Sequence, residues 1–174
     1  MRTAAIVPAA GRGERLGPGE PKALRELAGQ PLLVHAVRAL AEARSVAVIV
    51  VAAPPEEESR VSRLLLPVAG DTELHVVEGG DTRQQSVSSA LRALPDDVDV
   101  VLVHDAARPL VPDEVIDAVA GAVRGGADDA GLVEHFGRPV MVVPGSEDGF
   151  KVTRPIDLAL AEAVLARRRS AGVL

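Results

Sequence analysis

Short runs of β-branched and small apolar residues punctuate the chain: Thr3–Val7, Val46–Ala52 (VAVIVVA), LHVVEGG from Leu74, and Asp99–Val103 (DVVLV). Such runs suit strands buried on both faces. Stretches of helical period separate them. Pro31 opens one with Leu33, Ala36, Val37 and Leu40 on one side, and PPEEESRVSRLLL supplies a second. Asp81 is placed to cap a third, carrying Val87, Ala90, Leu91 and Leu94, and a fourth falls near Pro112–Arg124. This alternation predicts an α/β fold, an open, mostly parallel twisted sheet with helices on both faces.

Right-handed crossovers then place every strand-to-helix loop on one rim. The loops PAAGRGERLGPGEPK, EGGDTRQQS and HDAARP should meet there, at the carboxyl ends of the strands, where open α/β sheets bind ligands. After Arg124 the alternation breaks. A strand is due, but GGADDAGLVEHFG offers turn residues and a short helix. Only afterwards do PVMVVPG and FKVT read as strands, with a last helix running from Thr153 into ARRRS. No linker, repeat or low-complexity tract divides the chain, so residues 1–174 read as one domain.

Composition narrows the chemistry. Hydrophobic residues make up 47% of the chain, yet the only aromatics are Phe136 and Phe150, so the core must be aliphatic. The lack of cysteine excludes disulfides, thiolate zinc sites and a cysteine nucleophile. His35, His75, His104 and His135 show no metal-ligand spacing, and His104 should point away from Asp105 across its strand. A net charge of −6 disfavours nucleic acid and favours a small anion met by locally placed cations. The run Arg167–Arg169 reads as a charged helix end. The opening MRTAAIVPAAG has too short an apolar run for a signal peptide, and no segment could span a bilayer; a soluble cytoplasmic protein is expected.

The loop Pro8–Lys22 is the most informative stretch. It is not a phosphate-binding P-loop, because Gly-Pro-Gly-Glu-Pro-Lys lacks the required spacing and the closing Ser or Thr. A dinucleotide fingerprint starting Gly11-x-Gly13 fails at Leu16, and no acidic residue is well placed after Val46–Ala52. A solvated surface loop is the plain alternative. Against it, Gly11 and Gly13 remove side chains where backbone amides can face an anion. Arg15 and Lys22 add charge, and Pro21 stiffens the approach to Lys22.

PAAGRGERLG…PKAL, GGDTRQQSV, VHDAARPLV and KVTRPIDLALAE, in this order from residue 8 to residue 162, resemble the cytidylyltransferases acting on 2-C-methyl-D-erythritol 4-phosphate. The resemblance implies a Rossmann-like nucleotidyltransferase that joins CTP to a sugar-alcohol phosphate, with Mg2+ as cofactor and a homodimer as the working form. By that resemblance Pro8, Ala9, Ala10, Gly11 and Gly13 cradle the CTP phosphates. Arg15, Lys22 and Lys151 are catalytic, and Gly79, Gly80, Asp81 and Ser86 form the cytosine pocket. Asp105 holds the metal and, with Arg108, meets the acceptor. On local grammar alone other roles stay open. Lys151 could be a solvated strand end, Asp105 could cap a turn or pair with Arg108, and GGD could be a strand exit and helix cap. A sister enzyme acting on ribitol 5-phosphate, and a CTP-binding protein without turnover, are the alternatives.

Family members are longer after the helix near Arg124, where they carry strands of the acceptor surface and a dimer arm. Here the junction reads Gly126-Ala127-Asp128, at the place where the strand alternation fails. Either the 174-residue sequence skips residues near 125–129, or the deletion is real. The first is favoured, because deleting an internal strand exposes unpaired edges and apolar surface. A smaller departure is Ile156, where the family often has Glu to complete a capping box with Thr153.

Overall fold

The computed structural model describes residues 1–123 and 142–172. Strand β1 (Thr3–Pro8) leads through 3-10 turns at Glu14–Leu16 and Lys22–Leu24 into a small antiparallel pair, β2 (Glu26–Leu27) and β3 (Gln30–Pro31). Then follow α1 (Leu32–Glu42), β4 (Val46–Ala53), α2 (Glu58–Ala69), β5 (Glu73–Glu78), α3 (Arg83–Arg92), β6 (Val100–Val103) and α4 (Asp113–Val123). After a 3-10 turn at Glu147–Gly149, α5 (Pro155–Ser170) completes the described chain.

The main sheet is wholly parallel among the described residues, in the order β5-β4-β1-β6. From β1 the chain lays β4 and then β5 outward on one side, and β6 returns to the other side of β1. The switch point therefore lies between β1 and β6. Alternation along the strands builds a core on each face. Ala5, Val7, Ile49, Val51 and Leu102 pack with Leu33, Val37 and Leu40 of α1, Val61 and Leu65 of α2, and Ile116 of α4. Ala4, Ile6, Val48, Val50 and Ala52 face Ala90 of α3. The near-absence of aromatics is met by this tight Val, Ile, Leu and Ala packing. A separate cluster of Leu16, Leu27, Leu32, Leu110, Val152, Ala161 and Leu165 docks α5 and roots the glycine loop through Leu16.

Several local expectations are corrected. Thr82, not Asp81, caps α3: its hydroxyl accepts from Gln85 N at 3.1 Å while Gln85 Oε1 accepts from Thr82 N at 3.0 Å. Leu91 is 47% exposed, so the buried stripe of α3 is narrower than its sequence period implied. FKVT forms no strand and joins no sheet among the described residues; Val152 N donates to Ala107 O at 2.8 Å, and the buried Val152 side chain holds the segment against α5. Residues 142–145 likewise form no strand, and residues 139–141 of PVMVVPG lie outside the described residues. The last helix starts at Pro155, two residues later than expected. The missing Glu at 156 is covered by Asp157, whose Oδ2 accepts from Thr153 N at 2.7 Å and Arg154 N at 2.8 Å. The GGADDAGLVEHFG helix and the Cα spacing between Gly125 and Asp129 also lie outside the described residues.

Candidate active site

The strands run on into their loops and fasten them side by side. Ala9 N donates to Ala52 O at 2.8 Å, Gly79 N to Ala53 O at 2.9 Å, and His104 N to Ile6 O at 2.8 Å. Three loops thus leave the rim in contact, as the crossover rule requires. Between them lies a cavity of about 220 Å3. Its walls include Pro8–Gly11, Arg15 and Lys22 on one side, Gly80–Arg83 and Ser86 on a second, and Asp105 with Lys151 on a third. A wider hollow adjoins it, sharing Ala10, Gly11, Arg15, Gly80 and Asp81 and bounded by Gly13.

Close approach explains the glycines that matter most. Gly13 has φ +72, and a Cβ there would lie 2.4 Å from the Cβ of Lys22. A Cβ on Gly79 would lie 2.5 Å from that of Ala10, so this glycine lets the first and second loops touch. Gly79 itself does not line the cavity; it brings together residues that do. Ser86 is buried. Its hydroxyl accepts from Gly80 N at 3.1 Å and donates to Thr82 O at 3.0 Å, which fixes the bend that presents Gly80 and Asp81.

Charge sets the character of the cavity. Lys22 is pushed below the ordinary lysine value by burial first, then by repulsion from Lys151 and Arg15; Asp105 and Asp157 offset part of this. Such a lysine gains most from an incoming anion. Across the cavity Asp105 accepts from Lys151 Nζ at 2.8 Å and from Arg83 Nη2 at 3.2 Å. Burial alone would raise the Asp105 carboxyl, but Lys151 and then Arg83 more than offset it and hold it below the ordinary aspartate range.

Arg108 stands apart from the other expected site residues. Its Nη1 donates to Gly149 O at 2.8 Å, its Nε is 4.0 Å from Asp105, and it lines a neighbouring, mainly apolar cavity with His104 and Ser146. His104 does face away from Asp105, its Nε2 lying 3.1 Å from Arg108 O. Arg83 and Thr82 line the main cavity although the sequence reading gave them no role. An arginine in the first turn of a helix reads as solvated; the signal in hindsight is its position directly after GGDT, on a loop already assigned to the rim. Arg167 and Arg168 form more than a charged helix end, because both grip Asp148, at 2.6 and 2.9 Å.

A parallel sheet in this order, with its polar cavity over the switch point, defines a Rossmann-like nucleotidyltransferase fold. The comparisons carry this to a family. The model of the 2-C-methyl-D-erythritol 4-phosphate cytidylyltransferase family matches residues 3–127 and 120–167. A 2-C-methyl-D-erythritol 4-phosphate cytidylyltransferase of Streptomyces avermitilis is 45% identical, covering 97% of this chain and 93% of the relative. One of Frankia casuarinae is 46% identical, covering 95% and 82%. A solved 2-C-methyl-D-erythritol 4-phosphate cytidylyltransferase of Thermus thermophilus is 28% identical with a TM-score of 0.65, covering 94% of this chain and 98% of that one. The chain belongs to the family of 2-C-methyl-D-erythritol 4-phosphate cytidylyltransferases. The Streptomyces alignment runs over 235 residues against a chain of 174, so at least 61 of its positions face no residue here. The two stretches matched by the family model meet at residues 120–127.

Proposed function

We propose that this chain transfers a cytidylyl group from CTP to 2-C-methyl-D-erythritol 4-phosphate and releases pyrophosphate. The observation that carries this reading is that Lys22 and Lys151, from opposite ends of the sequence, line one cavity with Arg15 and the backbone of Pro8–Gly11. An oxygen of the acceptor phosphate attacks the α-phosphorus. The new P–O bond forms as the bond to the β-phosphate breaks, and pyrophosphate leaves with the electron pair. The attacking group is already an anion, so no strong base is needed; the obstacle is negative charge meeting negative charge. Arg15 and the loop backbone take up the triphosphate. Lys22, desolvated and crowded by like charges, stabilises charge growing at the α-phosphate, and Lys151 does so from the opposite wall. Gly80, Asp81 and the bend held by Ser86 receive the base, where backbone groups distinguish cytosine from uracil.

Among the described residues no group of three or more acidic or histidine side chains could hold a metal by itself. Asp105 alone suits Mg2+, which takes one or two carboxylates and completes its shell from phosphate oxygens and water. Held by Asp105, the ion would supply charge neutralisation at the triphosphate. Arg108 reaches the acceptor only after leaving Gly149 O. On this reading residues 1–174 are one domain lacking an internal segment near 125–129, and that segment includes the homodimer arm; the enzyme is cytoplasmic. No helix among the described residues is long and apolar enough to cross a membrane.

Pyrophosphate release from CTP in the presence of 2-C-methyl-D-erythritol 4-phosphate tests the assignment. Faster release with ribitol 5-phosphate would transfer it to the sister activity. The orientation of Arg108 and the at least 61 unmatched alignment positions favour one second reading, a CTP-binding form without turnover. That form would show a CTP-dependent rise in melting temperature and no pyrophosphate with either acceptor.

A further inference from the structure

Arg15 and Lys22 repel each other, yet both belong to one short loop that must hold them at a fixed separation. The residues between them, Leu16–Pro21, include two prolines and two glycines and form no sheet. The carbonyls of Gly17 and Glu20 precede Pro18 and Pro21, so their peptide units carry no N–H to anchor the loop from the other side.

One side chain gathers these carbonyls. The guanidinium of Arg25 donates from Nε to Glu20 O at 2.9 Å and from Nη2 to Gly17 O at 2.5 Å, with Nη1 at 3.5 Å from Leu16 O. The loop closes tightly over it: a Cβ on Gly19, where φ is +133, would lie 3.2 Å from the guanidinium carbon. The main chain of Arg25 is itself fixed. Its N–H donates to Lys22 O at 3.2 Å, and its carbonyl accepts from Leu32 N, at the start of α1, at 2.8 Å. At its ends the stretch is also held by the buried Leu16 and by turn bonds from Leu16 N to Gly13 O at 2.9 Å, Gly17 N to Glu14 O at 3.0 Å and Leu24 N to Pro21 O at 2.9 Å. In its middle the other side-chain tie among the described residues is the exposed Glu20–Arg60 pair at 2.8 Å, which is of the weak surface kind. Arg25 is not among the residues lining the cavity or the adjoining hollow.

We propose that Arg25 is a positioning residue: by clasping the carbonyls of Leu16, Gly17 and Glu20 it sets the separation of Arg15 and Lys22 for the nucleotide. The proposal rests on the CTP reading of the cavity. A guanidinium is needed because each of its three nitrogens faces a different carbonyl, whereas a lysine ammonium cannot reach all three. The test compares wild type, Arg25→Lys and Arg25→Ala by calorimetric titration with CTP and Mg2+, and by hydrogen exchange of the Gly11–Lys22 amides in unliganded protein. Arg25→Lys is expected to weaken CTP binding about tenfold, with faster exchange in this loop and little change in melting temperature. Millimolar methylguanidinium should restore part of the affinity of Arg25→Ala with little change in its melting temperature, whereas in a merely structural role affinity and melting temperature would fall and recover together. Wild-type affinity and unchanged exchange in Arg25→Lys would overturn the proposal. Failure of the wild type to bind CTP would instead sink the nucleotide reading, and the exchange data alone would then decide the role of Arg25.

Discussion

The two main walls of the cavity are built on different principles. The glycine-loop wall is held by bonds to main-chain carbonyls and by the buried Leu16, and its cations, Arg15 and Lys22, line the cavity with no carboxylate in hydrogen-bonding contact among the described residues. The opposite wall is held by ion pairs: Lys151 and Arg83 both engage Asp105. The first wall can receive an anion without rearranging. The second must exchange partners, because a metal at Asp105 or a phosphate at Lys151 competes with bonds already made. Cations open to an anion and charges already paired thus line one cavity.

The largest expected effect tests the preformed wall. Lys22→Ala should lower kcat about a thousandfold, the scale of losing one preorganised transition-state contact. Its melting temperature should not fall, since the lysine is desolvated and crowded by Lys151 and Arg15. An unchanged rate of pyrophosphate release would remove Lys22 from the chemistry. Asp105→Asn probes the exchangeable wall. It frees Lys151 and Arg83, so metal-free CTP should bind about tenfold more tightly while Mg2+ ceases to improve binding, both read by calorimetry.

Smaller effects concern how the second wall is carried. Asp148 anchors the turn preceding Lys151 to α5 through Arg167 and Arg168, and Arg168 also donates to Leu110 O at 2.9 Å. Burial raises the Asp148 carboxyl, but the hydrogen bonds from Arg167 and Arg168 outweigh it, so its folded value is depressed. A depressed carboxylate stabilises the fold above its unfolded value, and that contribution is lost as pH falls through the folded one. Asp148→Asn should therefore lower the melting temperature about 5 °C at neutral pH, with the difference closing below about pH 4. Least of all, Thr82→Ala should cost about 1 kcal/mol by chemical denaturation, as for a lost N-cap, while Asp81→Ala should leave stability unchanged.

The same contrast explains what could be read in the sequence. Val46–Ala52 was legible because a strand buried on both faces leaves a continuous apolar run, and the loops converged because crossover handedness leaves little choice. Lys22 was marked by its own loop. Arg83, Arg25 and the Asp148 anchor were not, since an arginine whose partner lies elsewhere in the chain looks solvated until the fold supplies that partner. FKVT misled for the related reason that β propensity reports burial: Val152 is buried against α5 and Leu110, not in a sheet. Asp81 and Thr82 are both good caps by type, and only the reciprocal bond to Gln85 decides between them.

On the proposed function, cations from both walls close on a single triphosphate. Calorimetric titration with CTP and Mg2+ of the wild type, Lys22→Ala, Lys151→Ala and the double variant tests it most directly. Each single change should weaken binding, and the loss in the double variant should depart from the sum of the two, as for residues sharing one ligand. Binding that is indifferent to either lysine, or losses that simply add, would contradict the account.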